Sequence, residues 1–305
     1  MHADCQVPVR LGIVVPVYGN WADTLECLGT LAAQTRRAFH VYVVDDGSPE
    51  AAPDAVRGFP FVTYLRRAHG GFAAACNAGV DAAADGDCTH VLLLNDDTAF
   101  ATGFVAAWLE KIAACPAAIL GPMICHFDRP DTVWYSGGPR SIAVPFFRYR
   151  RRYTTQTPVD VLTGCVLLVP VEVWRQLDGF DERYVTYYED FDFVLRARDA
   201  GVPVYLLVEP ELRVLHKVSR TTLRDGRWPR DYRMIASRLV FIRRRYAGFA
   251  QALCLVATIP HLITTVIVNL PALPDPRRLG SAIRTGLTAD AAPRRRRGAA
   301  SSARP

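Results

Sequence analysis

The chain has 305 residues, half of them hydrophobic and 22% charged, which is enough apolar material for a packed core and excludes global disorder. Its 21 Gly and 21 Pro recur with no period, which excludes collagen-like and solenoid architectures. The net charge of +6 is uneven: residues 1–210 carry 17 basic and 25 acidic side chains, and residues 211–305 carry 19 and 5. An acidic body is therefore followed by a basic tail suited to an anionic surface.

The opening MHADCQVPVR has no apolar run after a basic one, so no secretory leader is expected. The eight cysteines include no CxxC pair, which predicts buried thiols rather than zinc sites or disulfides. LGIVVPV (residues 11–17) reads as a strand buried on both faces. Trp21, Leu25, Leu28 and Leu31 have helical spacing and predict a helix over 21–34. Residues 40–44 and 61–65 read as strands, 71–84 as an Ala-rich helix and 90–94 as a fourth strand. Alternating strands and helices predict a parallel sheet.

Beyond residue 116 the pattern loosens. Strand-like pieces at 118–120, 133–136 and 161–169 alternate with loops, and RYRRR (148–152) reads as a solvated basic loop. A helix is expected over 189–200, then strands at 204–208 and 213–215. No Asp, Glu, Lys or Arg occurs between Tyr246 and Pro274. Residues 247–270 are thus long and apolar enough to cross a bilayer, to lie on one, or to form a re-entrant hairpin, with Pro260 and His261 interrupting. Arginines at 243–245 and 277–278 flank them, and the end around 294–305 is expected to be disordered.

Three expected strands end in polar turns: Pro16-Val17-Tyr18, Asp45-Asp46-Gly47-Ser48 and Asn95-Asp96-Asp97-Thr98. Open α/β sheets bind ligands at the carboxyl ends of their strands. Crowded carboxylates repel, and a cation or a hydrogen-bonding ligand relieves them. Glu189-Asp190 is a further pair, able to act as a base or simply to start a helix. If the segment is helical, Asp192 and Arg196 are an i, i+4 pair and need no catalytic role.

With LGIVVPVYGNWADTLECLGTLAAQT, VYVVDDGSPE, LLLNDDT and YYEDFDFVLRARDAG in this order, residues 11 to about 220 resemble glycosyltransferase family 2. GGFAAACNAGV and LDGFDERY point to its rhamnosyltransferase-like branch of bacterial polysaccharide enzymes. The resemblance implies a GT-A fold, a Rossmann-like, mostly parallel sheet flanked by helices. Residues 1–115 would form the nucleotide-sugar half, 116–240 the acceptor half, and 241–305 a membrane-associating tail. It implies inverting transfer from a nucleotide-sugar, dTDP-rhamnose before UDP-sugars, to a glycan acceptor; the apolar, arginine-flanked tail, outside the resemblance, suggests a lipid-linked acceptor and the cytoplasmic face of the cell membrane.

By the same resemblance, Pro16, Val17 and Tyr18 line the base, and Asp45, more than Asp46, contacts the base or ribose. Asn77, Asp96 and Gly164 lie along the donor. Asp97 and His216 ligate Mg²⁺ or Mn²⁺, with Asn95 where many members have Asp. Asp190, beside Glu189, is the base. Trp134, Tyr135, Trp174 and Tyr187 are candidates to stack on sugars. An oxidoreductase would need a GxGxxG turn after the first strand, where Pro-Val-Tyr-Gly-Asn stands. A nucleic-acid partner is not expected, because the tail's arginines flank an apolar stretch, a pattern anionic lipid explains better. A sugar- or membrane-binding module without activity would not need both Asp97 and Asp190.

Overall fold

The computed structural model describes residues 8–140, 149–184, 186–218 and 227–269. The first half alternates strand and helix: β1 (Leu11–Val17), α1 (Trp21–Ala32), β2 (Phe39–Asp45), the short α2 (Asp54–Arg57), β3 (Val62–Arg66), α3 (Phe72–Asp85) and β4 (His90–Leu94). These strands pair in parallel in the order β3-β2-β1-β4. The order turns back beside β1, so the crevice for a ligand opens at the carboxyl ends of β1, β2 and β4. α3 lies unusually close to the sheet at Gly79, where a Cβ would come 2.3 Å from a Val14 methyl.

The second half leaves the sheet and returns to it. It comprises β5 (Thr98–Phe100), α4 (Phe104–Ala114), β6 (Ile119–Pro122), β7 (Ile124–His126), β8 (Val133–Tyr135), β9 (Thr157–Pro158), β10 (Val166–Pro170), α5 (Val171–Gln176), α6 (Glu189–Asp199), β11 (Val204–Leu207) and β12 (Val214–His216). β10, β6, β11 and β9 extend the first sheet to eight strands, and β5-β12-β7-β8 form a second sheet. The sheet is mostly parallel, as expected, with β10 and β9 running opposite to the other strands. β10 runs antiparallel to β4, with Val166 opposite Leu94, because the chain re-enters at the end where β4 leaves. That reversal brings residues 163–165 beside the Asn95-Asp96-Asp97 turn, and the Asn95 amide donates to the Cys165 carbonyl at 2.9 Å.

Two apolar layers cover the large sheet. One gathers Leu28, Leu31, Phe104 and Trp108 from α1 and α4, and the other Val80, Trp174, Phe180 and Phe193 from the opposite side. Trp174 is thus a core residue, 2% exposed. All seven cysteines among the described residues are free thiols, and six are buried.

Two helices follow, α7 (Arg227–Arg245) and α8 (Gly248–Asn269). α7 runs through the boundary expected at 240–241. Val240 and Phe241 pack with Val161, Tyr184, Tyr188 and Leu195 of the body. Arg244 and Arg245, expected to flank a bilayer segment, reach Asp181 at 3.2 Å and Asp199 at 2.7 Å. α8 buries Cys254 and Thr258 but exposes Phe249, Leu253, Val256, Ile259 and Ile263. Among the described residues no helix is long and apolar enough to cross a membrane. The arginines at 277–278 and the end at 294–305 lie outside the described residues.

Candidate active site

A cavity of about 880 Å³ opens at the carboxyl ends of β1, β2 and β4 and is closed over by residues from α6, α7 and β12. Pro16, Val17, Tyr18 and Asp46 line one side, Asp96 and Asp97 the floor, and Glu189, Asp190 and His216 the other side. Nine of the twelve expected site residues therefore meet in one space. Asp45, Asn77 and Gly164 are not among the lining residues.

Their positions have local causes. Asp45, fully buried, accepts from the Ser48 amide at 2.7 Å, the Tyr64 hydroxyl at 2.6 Å and Arg66 at 3.0 Å. Burial alone would raise its pKa, but these partners outweigh it and hold the carboxyl below the ordinary carboxylate range. Asn77 faces the core side of α3, donating to the Phe180 carbonyl and to Glu182 at 2.9 Å each and accepting from the Phe180 amide. Gly164 supports the site through its backbone: its amide donates to Asp190 Oδ2 at 2.7 Å.

Asp46 reaches the cavity heavily engaged. It pairs with Arg67, lies 2.9 Å from His69 Nδ1, and accepts from the amides of Gly70 and Gly71. Gly71, at φ +90°, starts α3, so the Gly-Gly turn is shaped to this carboxylate. His69 in turn lies against Tyr18, with ring centroids 4.5 Å apart. Asp46 therefore organises the 67–71 loop along the cavity wall.

The floor is different. Asp96 is buried, and desolvation together with the neighbouring Asp97 charge pushes its pKa well up. Asp97 Oδ1 lies 3.0 Å from His216 Nε2, yet among the described residues this buried oxygen has no hydrogen-bond partner. The same holds for the other His216 nitrogen and for Asn95 Oδ1. Two adjacent ligands of an octahedral ion at 2.0–2.1 Å stand about 3 Å apart, so this pair fits a hard divalent cation. Among the described residues no group of three or more His, Cys, Asp or Glu side chains surrounds a metal position. A cation here would thus keep sites for substrate oxygens. Lys217 braces the pair: its amide donates to the Asp97 carbonyl at 3.0 Å, and its ammonium to Asp23 at 2.6 Å and Glu26 at 2.5 Å.

Glu189 and Asp190 start α6 and are buried. Tyr187 and Tyr188 before them hold φ of 72° and 73°, a left-handed pair costing on the order of 1–3 kcal/mol per residue and typical of functional sites. Burial raises the pKa of Asp190, opposed by hydrogen bonds from the Gly164 and Phe191 amides. Burial and the Asp190 charge raise that of Glu189 well above its ordinary value. Asp190 is thus an oriented carboxylate with raised basicity, as proton acceptance near neutral pH requires. Trp134, Tyr135 and Tyr187 line the cavity, and Trp134 meets the His216 ring edge-on at 4.3 Å.

Sequence reasoning passed over Arg150, Arg233 and Arg238, which also line the cavity. Arg150 reads as part of a solvated loop. Arg233 and Arg238 stand in α7, far from any motif, and only the docking of that helix brings them in.

Residues 12–173 match the model of glycosyl transferase family 2. The chain is 29% identical over 272 residues to an N-acetylglucosaminyl-diphospho-decaprenol L-rhamnosyltransferase of Mycobacterium tuberculosis, covering 79% of this chain and 87% of that protein. Among solved structures it resembles the mannosyltransferase PcManGT from Pyrobaculum calidifontis in complex with GDP-Man and Mn²⁺, with TM-score 0.55, 16% identity, and 92% and 80% of the two chains covered. It also resembles GalNAc-T7 with UDP, GalNAc and Mn²⁺, with TM-score 0.58 and 14% identity over 69% of this chain and 44% of that one. At these identities the likeness to the two structures is one of fold, the GT-A arrangement of a mixed sheet between helices. The chain belongs to glycosyl transferase family 2 and is a glycosyltransferase of the rhamnosyltransferase-like kind.

Proposed function

We propose that the protein is an inverting, metal-dependent transferase that moves rhamnose from dTDP-rhamnose to a lipid-linked glycan in bacterial cell-surface polysaccharide synthesis. The observation that carries this is the meeting of Asp190, oriented by two amides, with the Asp97–His216 pair in one cavity. The rhamnosyltransferase relative, matched over most of both chains, supports the donor and the acceptor class. Residues 1–115 supply the donor side and 116–240 the acceptor side.

The chemistry follows from the geometry. The acceptor hydroxyl attacks the anomeric carbon as Asp190 takes its proton, and the bond to the nucleoside diphosphate breaks on the opposite face. Asp97 and His216 would hold Mg²⁺ or Mn²⁺, which when bound supplies positive charge for the leaving diphosphate. The nucleoside lies along Pro16, Val17 and Tyr18, on the wall that Asp46 organises. The tail places the enzyme on the cytoplasmic face of an anionic membrane. The apolar row of α8 supports this, as does the basic balance of residues 211–305.

A panel of dTDP-rhamnose, UDP-galactofuranose, UDP-glucose, UDP-galactose and UDP-N-acetylglucosamine, assayed with a prenyl-diphosphate N-acetylglucosamine acceptor, tests the donor. Release of dTDP is expected. Release from a UDP-sugar alone would make the donor a UDP-sugar, and no release from any would favour a binding module. Sedimentation with phosphatidylglycerol vesicles tests the membrane surface, and Val256→Asp should weaken it. Equal sedimentation of both proteins, or of neither, would overturn the docking face.

A further inference from the structure

The arginines on the cavity wall are not accounted for by donor chemistry at the Asp97–His216 pair. Arg238 is 2% exposed, a burial that Arg tolerates when it is paired. Its Nε–H donates to the Tyr188 hydroxyl at 2.9 Å, which fixes the plane of the guanidinium. Tyr188 directly precedes Glu189 and Asp190, so this cation is built into the support of the base. Arg233 lies on the same helix and lines the same cavity, and Arg150 joins them from the exposed loop before β9.

The order of elements adds an independent observation. α7, which carries Arg233 and Arg238, is followed after two residues by α8 and its exposed row Phe249, Leu253, Val256, Ile259 and Ile263. Along the chain, the cations that line the cavity are thus followed by an apolar row open to the outside. A prenyl diphosphate has the matching layout, with a doubly charged head next to a hydrocarbon chain. Guanidinium forks bind phosphate oxygens in pairs, with charge-assisted hydrogen bonds.

We infer that Arg150, Arg233 and Arg238 form a binding site for the diphosphate of a prenyl-diphosphate acceptor, separate from the donor diphosphate at Asp97 and His216. This rests on the lipid-linked acceptor proposed above and names the residues that recognise its head group. The arginines draw the diphosphate to the cavity mouth, and the sugar it carries then extends inward to Asp190.

Calorimetric titration with farnesyl diphosphate tests the site without any turnover. The intact protein should bind it even when saturated with dTDP and Mg²⁺, and Arg233→Gln and Arg150→Gln should each weaken binding by roughly tenfold or more. Arg238→Lys, which keeps the charge in the core but loses the fork, should weaken it as well. Displacement of farnesyl diphosphate by dTDP would assign the arginines to the donor and overturn the inference, as would unchanged binding in Arg233→Gln and Arg150→Gln. In turnover, the preference for a prenyl-diphosphate sugar over a diphosphate-free glycoside of the same sugar should collapse at least tenfold in Arg233→Gln. An intact enzyme that uses both acceptors equally well would overturn the site while leaving the transferase reading in place. Absence of transfer to either acceptor would count against that reading alone, with the titration still deciding the site.

Discussion

The carboxylates at the end of β2 and those at the end of β4 and the start of α6 are equally buried but differently treated. Asp45 and Asp46 are surrounded by donors: the Ser48, Gly70 and Gly71 amides, the Tyr64 hydroxyl, Arg66 and Arg67. Among the described residues Asp96, Glu189 and Asp190 have no such cations, and burial drives their pKa values up. Among the described residues, Glu189 Oε2 and Asp97 Oδ1 are buried without a hydrogen-bond partner. The first group has its charge neutralised within the fold and serves as frame. In the second the fold leaves the carboxylates poorly compensated, which is what a cation or a proton can relieve.

Chelation should separate the two groups most sharply. Excess EDTA should abolish transfer, and added Mg²⁺ or Mn²⁺ should restore it; Asp97→Ala should lose the response while keeping its melting temperature. Full turnover in excess chelator would place Asp97 and His216 with the frame. Asp190→Asn is next: turnover should fall about 10²–10⁴-fold, the usual scale of general-base catalysis, with donor KM little changed. In the intact enzyme the acid limb of kcat/KM should lie above the ordinary carboxylate value of 3.8, because burial raises this carboxyl. A limb at or below that value would mean another group takes the proton.

Smaller effects on stability should run in opposite directions. Asp45→Asn should cost about 1–3 kcal/mol at neutral pH by weakening its donor contacts. Because its pKa is lowered, its contribution is present above the ordinary 3.8 and is lost as pH falls through the folded value. The melting temperatures of wild type and Asp45→Asn should therefore converge in acid. Glu189 has the reverse sign: its raised pKa means that the wild type loses stability as pH rises from the ordinary 4.5 toward the folded value. Glu189→Gln should remove that loss and melt above the wild type at neutral pH, with no gain in acid. Parallel curves for the two variants would erase the distinction between frame and site.

The frame is the more legible of the two in the amino-acid sequence. The run LGIVVPV, the HVLLL strand and the Ala-rich helix are local signals, and they form β1 at Leu11–Val17, β4 at His90–Leu94 and α3 at Phe72–Asp85. α4 carries a signal of the same kind, with Phe104, Trp108 and Ile112 at helical spacing, yet it is missing from the expected elements. The nine expected residues that line the cavity are legible because each ends a strand or starts a helix, where short polar motifs stand out. Arg233 and Arg238 are not, because nothing within a few residues of either distinguishes it from the other arginines of a basic helix.

What the sequence determined by itself was most elements of the first half and the polar ends of its parallel strands, since periodicity and turn chemistry act over a few residues. Only the tertiary structure decided which carboxylates are neutralised. The partners of Asp45, Tyr64 and Arg66, lie 19 and 21 residues away on β3. It alone reversed β10, bringing the Gly164 amide to Asp190, and docked α7 so that Arg233 and Arg238 face the cavity. Such contacts depend on how separate elements pack, and no local pattern encodes that packing.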